Sequence, residues 1–211
     1  IVNYLPKVTP KNISWNENPD RRKLEIQEIF GETCVVWLEI GFGGSEHLIR
    51  RARLNPDIGL IGAEPFIDGV AKALTGISDN NLKNVRLHAD DIRQVLPNFG
   101  EAAFERVFIL FPDPWPKKRH KKRRLINEEF TDYISQILVK NGKVIIITDH
   151  IDYQKNIHIS FESNPRFKLV KSLKQKKLFF ENIFETKYYK KAISKNTIIH
   201  HSLYRLVEKN S

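Results

Sequence analysis

Three short apolar runs of this chain each end on an acid. Leu38-Glu39-Ile40-Gly41-Phe42-Gly43-Gly44-Ser45 closes the first run, Ile61-Gly62-Ala63-Glu64-Pro65 the second and Leu87-His88-Ala89-Asp90-Asp91 the third. An α/β sheet binds its ligand outside the carboxyl ends of its strands, so acids at consecutive strand ends converge on one ligand. Glycines in the first turn let the backbone approach that ligand closely. A nicotinamide fingerprint G-x-G-x-x-G counted from Gly41 and Gly43 puts Glu46 at the third glycine, where a carboxylate opposes a pyrophosphate. No G-x-x-x-x-G-K-[ST] phosphate loop occurs either. Glu39 suits instead a ligand with an ammonium and a sulfonium, which is S-adenosylmethionine. Glu64 is then placed to accept from both ribose hydroxyls, and Asp91 from an adenine amino group, with Asp90 as the alternative to Asp91. Any one of these acids alone reads more simply as a helix cap or a solvated loop residue, and it is their shared position that favours a site.

Phe111-Pro112-Asp113-Pro114-Trp115-Pro116-Lys117 follows a fourth apolar run. Two prolines around an acid make a stiff turn that presents a carboxylate and an indole at a pocket mouth. Next comes Lys117-Lys118-Arg119-His120-Lys121-Lys122-Arg123-Arg124, seven Lys or Arg in eight positions. Such runs are usually solvated faces. Beside a base-sized pocket, however, they neutralise phosphates and steer a folded RNA. The chain carries a net charge of +10, and removing these seven leaves +3, so most of the excess sits at this one place. A structured nucleic acid is the partner this charge favours.

The elements that must hold these residues follow from apolar patterning. The 211 residues suffice for one α/β domain, with 41% hydrophobic residues to build its core. Strands are predicted over 34–40, 58–63, 85–89, 107–111 and 144–148, with a later pair near 167–170 and 198–207. Between them fall helices, which makes a mostly parallel sheet with helices on both faces. Ser45 is expected to cap a helix running to Arg53, a second helix covers Ile67 to Leu74, and a third runs from Glu128 to about Lys140 before Asn141-Gly142 closes it. Residues 1–30, with Pro6, Pro10 and Pro19, read as an N-terminal extension and 31–211 as the catalytic domain. A second lysine-rich segment spans 171–191. Cys34, the single cysteine, reads as a core residue, so no disulfide forms within the chain. No Cys/His cluster has metal-ligand spacing and no Ser/His/Asp grouping can be assigned. The apolar runs are far too short to cross a bilayer, and a soluble, cytoplasmic protein is expected. Methionine is absent, position 1 included, so the native start, or methionines elsewhere, are expected to be missing from this chain.

Taken in order, the segments Glu39 to Gly43, Asn55-Pro56-Asp57, Ile61 to Phe66, Phe111 to His120, Lys122-Arg123-Arg124, Thr148-Asp149 and Thr186-Lys187-Tyr188 resemble the bacterial tRNA (guanine-N7)-methyltransferase family over about residues 33 to 208. The Pro-Asp-Pro-Trp segment with its basic tail is the most specific part. The resemblance implies a Rossmann-like class I methyltransferase that uses S-adenosylmethionine to modify a guanosine of the tRNA variable loop, position 46. It places Glu39, Gly41, Gly43, Glu64, Asp91 and Asp113 at the cofactor, with Asp113 also catalytic. It places Lys117, Asp149, Thr186, Lys187, Tyr188 and Tyr189 at the tRNA guanosine. It implies tRNA as partner, with no membrane and no obligatory protein partner. The last family motif usually ends in Glu, whereas Tyr189 stands here, with Glu185 nearby as a substitute. Asp149 is alternatively a helix cap. Adenine amino-methyltransferases carry Asp/Asn-Pro-Pro and an aromatic at the same strand end, a pattern that Asp113-Pro114-Trp115 matches only loosely.

Overall fold

A computed structural model describes residues 24–31, 35–175 and 183–207. Cys34, the first 23 residues and part of the later lysine-rich segment lie outside them. Seven strands form one sheet: β1 Val36–Ile40, β2 Gly59–Ala63, β3 Val85–His88, β4 Phe104–Leu110, β5 Leu138–Thr148, β6 Phe167–Gln175 and β7 Ile199–Leu206. Their order is β3-β2-β1-β4-β5-β7-β6, with β7 antiparallel to both neighbours and the other pairs parallel. The chain works outward from β1 to β3, then returns to the other side of β1 with β4. The crevice between the carboxyl ends of β1 and β4 is therefore the topological switch point where such sheets bind ligands.

The helices are α1 Ile26–Phe30, α2 Glu46–Leu54, α3 Ile67–Asp79, α4 Glu128–Ile137, α5 Ile151–Glu162 and α6 Lys187–Ser194. One face of the sheet packs Leu38, Ile40, Val107, Ile109, Val144 and Ile146 against Phe130, Ile134 and Ile137 of α4 and Tyr153, Ile157 and Phe161 of α5. The other face has two parts. Leu60, Val85 and Leu87 meet α2 and α3, and Trp37, Phe108, Ile145 and Ile147 meet Tyr189 and Ala192 of α6. β1 and β2 are buried along their whole length, which is why they read as continuous apolar runs rather than alternating ones. Leu24, Ile26, Ile29 and Phe30 pack against the α4/α5 side, and the Arg86 guanidinium stacks 4.9 Å from the Phe30 ring centroid.

Three expectations are corrected. Ser45 makes no capping bond: its φ of 67° belongs to the glycine turn, and its N–H donates to the Phe42 carbonyl. The helix expected to reach Lys140 ends at Ile137, because Leu138 pairs with Phe104 and begins β5. Pairing then jumps to Lys143 opposite Arg106, with Asn141 in the left-handed region at φ 62°. Asn141-Gly142 thus forms a bulge in a strand rather than a helix stop. α3 also continues past Leu74 to Asp79, burying Ile77.

Burial pushes His201 down to about 4, and His88, His158 and His200 are lowered by the same cause. Unfolded, each takes a proton near its ordinary value of 6.5, while native His201 resists until about 4. The unfolded chain therefore binds more protons in that window, and stability falls as pH drops from about 6.5 toward 4. Thermal midpoints measured at pH 7 and pH 5 should differ in wild type. The difference should shrink in His201→Gln, and an equal drop in both would remove His201 from the account.

Candidate cofactor pocket and nucleic-acid face

A cavity of about 590 Å³ opens at the switch point, lined by the ends of all four parallel strands that the acids follow. Ile40, Gly41 and Gly43 come from the first turn, Ala63 to Phe66 from the second, Asp90 to Arg93 from the third, and Phe111, Pro112, Asp113 and Trp115 from the fourth. Gly41 and Gly43 have φ of 73° and 53°, a region that costs an L-residue roughly 1–2 kcal/mol. α3 seats directly on this turn at Gly69, where a Cβ would lie 2.4 Å from the Gly43 carbonyl oxygen.

Glu64 joins these pieces. Its carboxylate is 4% exposed and accepts from the Gly43 N–H at 2.7 Å and the Phe66 N–H at 3.0 Å. Two charge-assisted bonds offset the desolvation of a buried carboxylate, and its remaining lone pairs face the cavity it lines. Asp91 lines the cavity while its carboxylate caps the Arg93 N–H and pairs with the Arg93 guanidinium. Burial pushes Asp91 up, but the Arg93 bonds and charge outweigh it and hold the carboxyl below the usual range. Asp90 also lines the cavity and accepts from the Asp91 N–H. Glu39 is not among the lining residues. One of its oxygens accepts from His47 Nδ1–H at 2.7 Å, an assignment that follows from His47 Nε2 accepting from Arg51 Nε at 3.3 Å. All three side chains are buried. Burial and then Arg106 push Arg51 down to about 10, against the pull of Glu39.

The loop 111–124 is held from behind. Phe111 and Trp115 sit at φ 54° and 41°, an uncommon conformation for bulky residues that persists only where the surroundings enforce it. Arg124 does so: 3% exposed, it donates to the Pro114 carbonyl at 2.9 Å and to Asn156 at 3.1 Å, and it pairs with Asp152 on α5. Lys121 joins Asp152 at 2.9 Å, and hydrogen bonds first from Lys121 and then from Arg124 hold the Asp152 carboxyl down at about 2. The basic run is thus two sets. Lys121 and Arg124 are anchors on α5, while Lys122 and Arg123 line the cavity, with Arg123 5.0 Å over the Trp115 ring and His120 edge-on to it. Lys117, Lys118 and Arg119 are exposed beyond the lining.

Of the residues expected at the guanosine, Tyr188 reaches the pocket. Its ring lies over the turn, 3.0 Å from where a Gly43 Cβ would stand, and burial, then Glu64 and Asp113, raise its hydroxyl pKa. Thr186 caps α6 by accepting from the Tyr189 N–H at 3.2 Å. Tyr189 itself packs with Trp37, Phe108 and Ile147, because an aromatic one position after Tyr188 falls on the buried face of α6. The structure therefore brings Tyr188, and not Tyr189, to the pocket. Lys187 is exposed beside it. Asp149 is exposed at the end of β5 and does not cap α5, whose cap is the His150 ring accepting from the Tyr153 N–H. Sequence reasoning missed His47 and Arg51. A lone glutamate in the apolar strand Val36–Ile40 was the available signal, since a buried acid requires a partner.

Fold and pocket define a Rossmann-like methyltransferase, and the family described as "Putative methyltransferase" matches residues 33–202. A solved structure of a 16S rRNA methyltransferase, KamB, shares the fold at TM-score 0.65 and 11% identity, covering 86% of this chain and 92% of that one. More narrowly, the chain belongs to the tRNA (guanine-N7)-methyltransferase family. It is 36% identical over 203 residues to the tRNA (guanine-N(7)-)-methyltransferase of Cereibacter sphaeroides, covering 95% of this chain and 81% of that protein. To the protein of the same name from Roseobacter denitrificans it is 45% identical over 149 residues, 71% of this chain. That match spans 64% of the Roseobacter protein, just under two thirds of its length. The residues present fit S-adenosylmethionine: a buried acid opens onto the cavity at the end of β2, and a left-handed glycine turn leaves backbone bare beside it. Glu64→Ala should lower affinity for S-adenosylmethionine by roughly tenfold or more in calorimetry, since a charge-assisted bond contributes about 1.5–3 kcal/mol. Unchanged affinity would remove Glu64 from the site.

Proposed function

We propose that this protein transfers a methyl group from S-adenosylmethionine to N7 of a tRNA guanosine, the one at position 46 of the variable loop. The observation that carries the reading is a shared wall: the loop that supplies Asp113 and Trp115 to the acid-lined cavity continues directly into Lys122 and Arg123 on its rim. In this reading Gly41 and Gly43, with Glu39 beneath them, hold the amino-acid end of the cofactor, Glu64 its ribose and Asp91 its adenine. The cofactor supplies an electrophilic methyl group. Lys117, Lys187 and the free part of the basic run take the RNA phosphates, and Asp149, Thr186 and Tyr188 border the base. Among the described residues no helix is long and apolar enough to cross a membrane.

Guanine N7 presents an in-plane lone pair as an acceptor, so it attacks without first losing a proton. The protein's task is alignment, exclusion of water and compensation of the positive charge that grows on the base. Asp113 lines the cavity at the strand end and is exposed, placed to meet that charge as a carboxylate rather than to take a proton. Trp115 and Tyr188 add aromatic lining to the same cavity.

Asp113→Asn keeps the shape and removes the charge. It should slow single-turnover methyl transfer by about tenfold or more while changing cofactor affinity little. The wild-type rate should be flat through neutral pH, because no general base must ionise. A rate rising in proportion to hydroxide, with that rise abolished in the Asn variant, would establish a general base and refute this mechanism. A wild-type rate in the variant would leave Asp113 as a turn residue.

A further inference from the structure

A second group of cations lies on the sheet itself. Register pairs Arg106 of β4 with Lys143 of β5, Lys143 with Arg205 of β7, and Arg205 with Lys168 of β6. Residues directly paired across strands send their side chains to the same face, so four cations stand side by side on four adjacent strands. The face is fixed by Trp37, which pairs with Arg106 and lies 4.6 Å beneath its guanidinium. The next row toward the pocket, Phe108, Ile145 and Leu203, belongs to or packs on the cluster under α6. The cationic row lies just past that cluster: Lys143 and Lys168 are exposed, and Arg106 and Arg205 half-buried.

Strands in a sheet are about 4.8 Å apart, and like charges directly opposite one another destabilise it. Folding alone therefore gives no reason for the row. Among the described residues Glu105 is the acid that pairs with it, 3.4 Å from Arg106 Nε, and that carboxylate is shared with the Trp37 indole N–H. No described acid pairs with Lys143, Arg205 or Lys168, and the buried Nε of Arg205 has no hydrogen-bond acceptor. Three of the four cations have no counter-ion among the described residues, and such an evenly spaced file has the charge and the repeat to take a string of phosphates.

We infer that this row is a second docking surface for the tRNA phosphate backbone, engaged while the target base occupies the pocket. The inference rests on the tRNA reading given above. Arg106 precedes Phe111 by five residues of extended chain, so the row lies roughly 16 Å from the pocket mouth along the sheet. A folded RNA presents phosphates at that distance from an inserted base, whereas a mononucleotide or dinucleotide held in the pocket is too short to reach the row.

The test compares wild type, the variant Lys143→Gln/Lys168→Gln/Arg205→Gln, and a charge-matched control, Lys72→Gln/Lys83→Gln/Lys155→Gln, at three exposed positions outside the cavity lining and the row. Each phosphate contact contributes roughly 0.7 to 0.9 to the slope of log affinity against log salt. The row variant should flatten the slope for full-length tRNA by about 2 to 3 relative to the control and bind at least about tenfold more weakly at low salt. It should keep wild-type affinity for S-adenosylmethionine and for a short guanosine-containing oligonucleotide. Should Arg205→Gln impair folding, Lys143→Gln/Lys168→Gln, at two exposed positions, should flatten the slope by roughly 1.5. A slope equal to the control's overturns the inference and makes the row a solvated face or a surface for an acidic protein, with the tRNA reading of the pocket intact. Failure of the wild type to bind or methylate tRNA overturns both.

Discussion

The Glu64 carboxylate holds two backbone N–H groups that belong to different parts of the chain, Gly43 of the β1 turn and Phe66 at the entry to α3. Without it, the glycine turn and the first helical turn of α3 would each present unsatisfied donors to the cavity, in a place where Gly69 already brings the two backbones into contact. A buried carboxylate with both oxygens in use is held in one position. One residue therefore closes the switch point and supplies its polar wall.

The second constraint is the anchoring of loop 111–124. Two residues in left-handed geometry bracket Asp113, and Arg124 fastens the far end of the loop to α5 through Asp152, Asn156 and the Pro114 carbonyl. Charge and position are thereby separated within one basic run. Arg124 and Lys121 both pair with Asp152 on α5, while Lys122 and Arg123 stay at the pocket rim. Trp115 is held by Arg123 over its ring and by edge contact with His120, so the loop presents a formed aromatic wall to the cavity.

Most of this was legible in the sequence for a physical reason: buried parallel strands must be continuous apolar runs, and ligand-binding acids in such a fold must stand where those runs end. Glu64, Asp91 and Asp113 stand at such ends, and all three line the cavity. What escaped depends on partners distant in sequence. Glu39 turns to His47 and Arg51, and the composition of α2 gives no sign that these two polar residues are buried alongside Leu48 and Ala52. Tyr188 and Tyr189 are adjacent, and only the seating of α6 decides which faces the pocket. The end of α4 was misread because Asn141-Gly142 stops a helix and makes a strand bulge with the same residues. Pairing across the sheet is likewise invisible along the chain, so Arg106, Lys143, Arg205 and Lys168 become a group only once β4, β5, β7 and β6 are in register.

The account stands on the claim that this pocket delivers a methyl group to a ring nitrogen whose lone pair is already free. Incubating the protein with isotopically labelled S-adenosylmethionine and total tRNA, then mapping the product by mass spectrometry, reads the methylated atom directly. The account predicts the label on N7 of a single guanosine in the variable loop. Label on an exocyclic amino group would contradict it, because that nitrogen must shed a proton and would require the general base that the mechanism excludes.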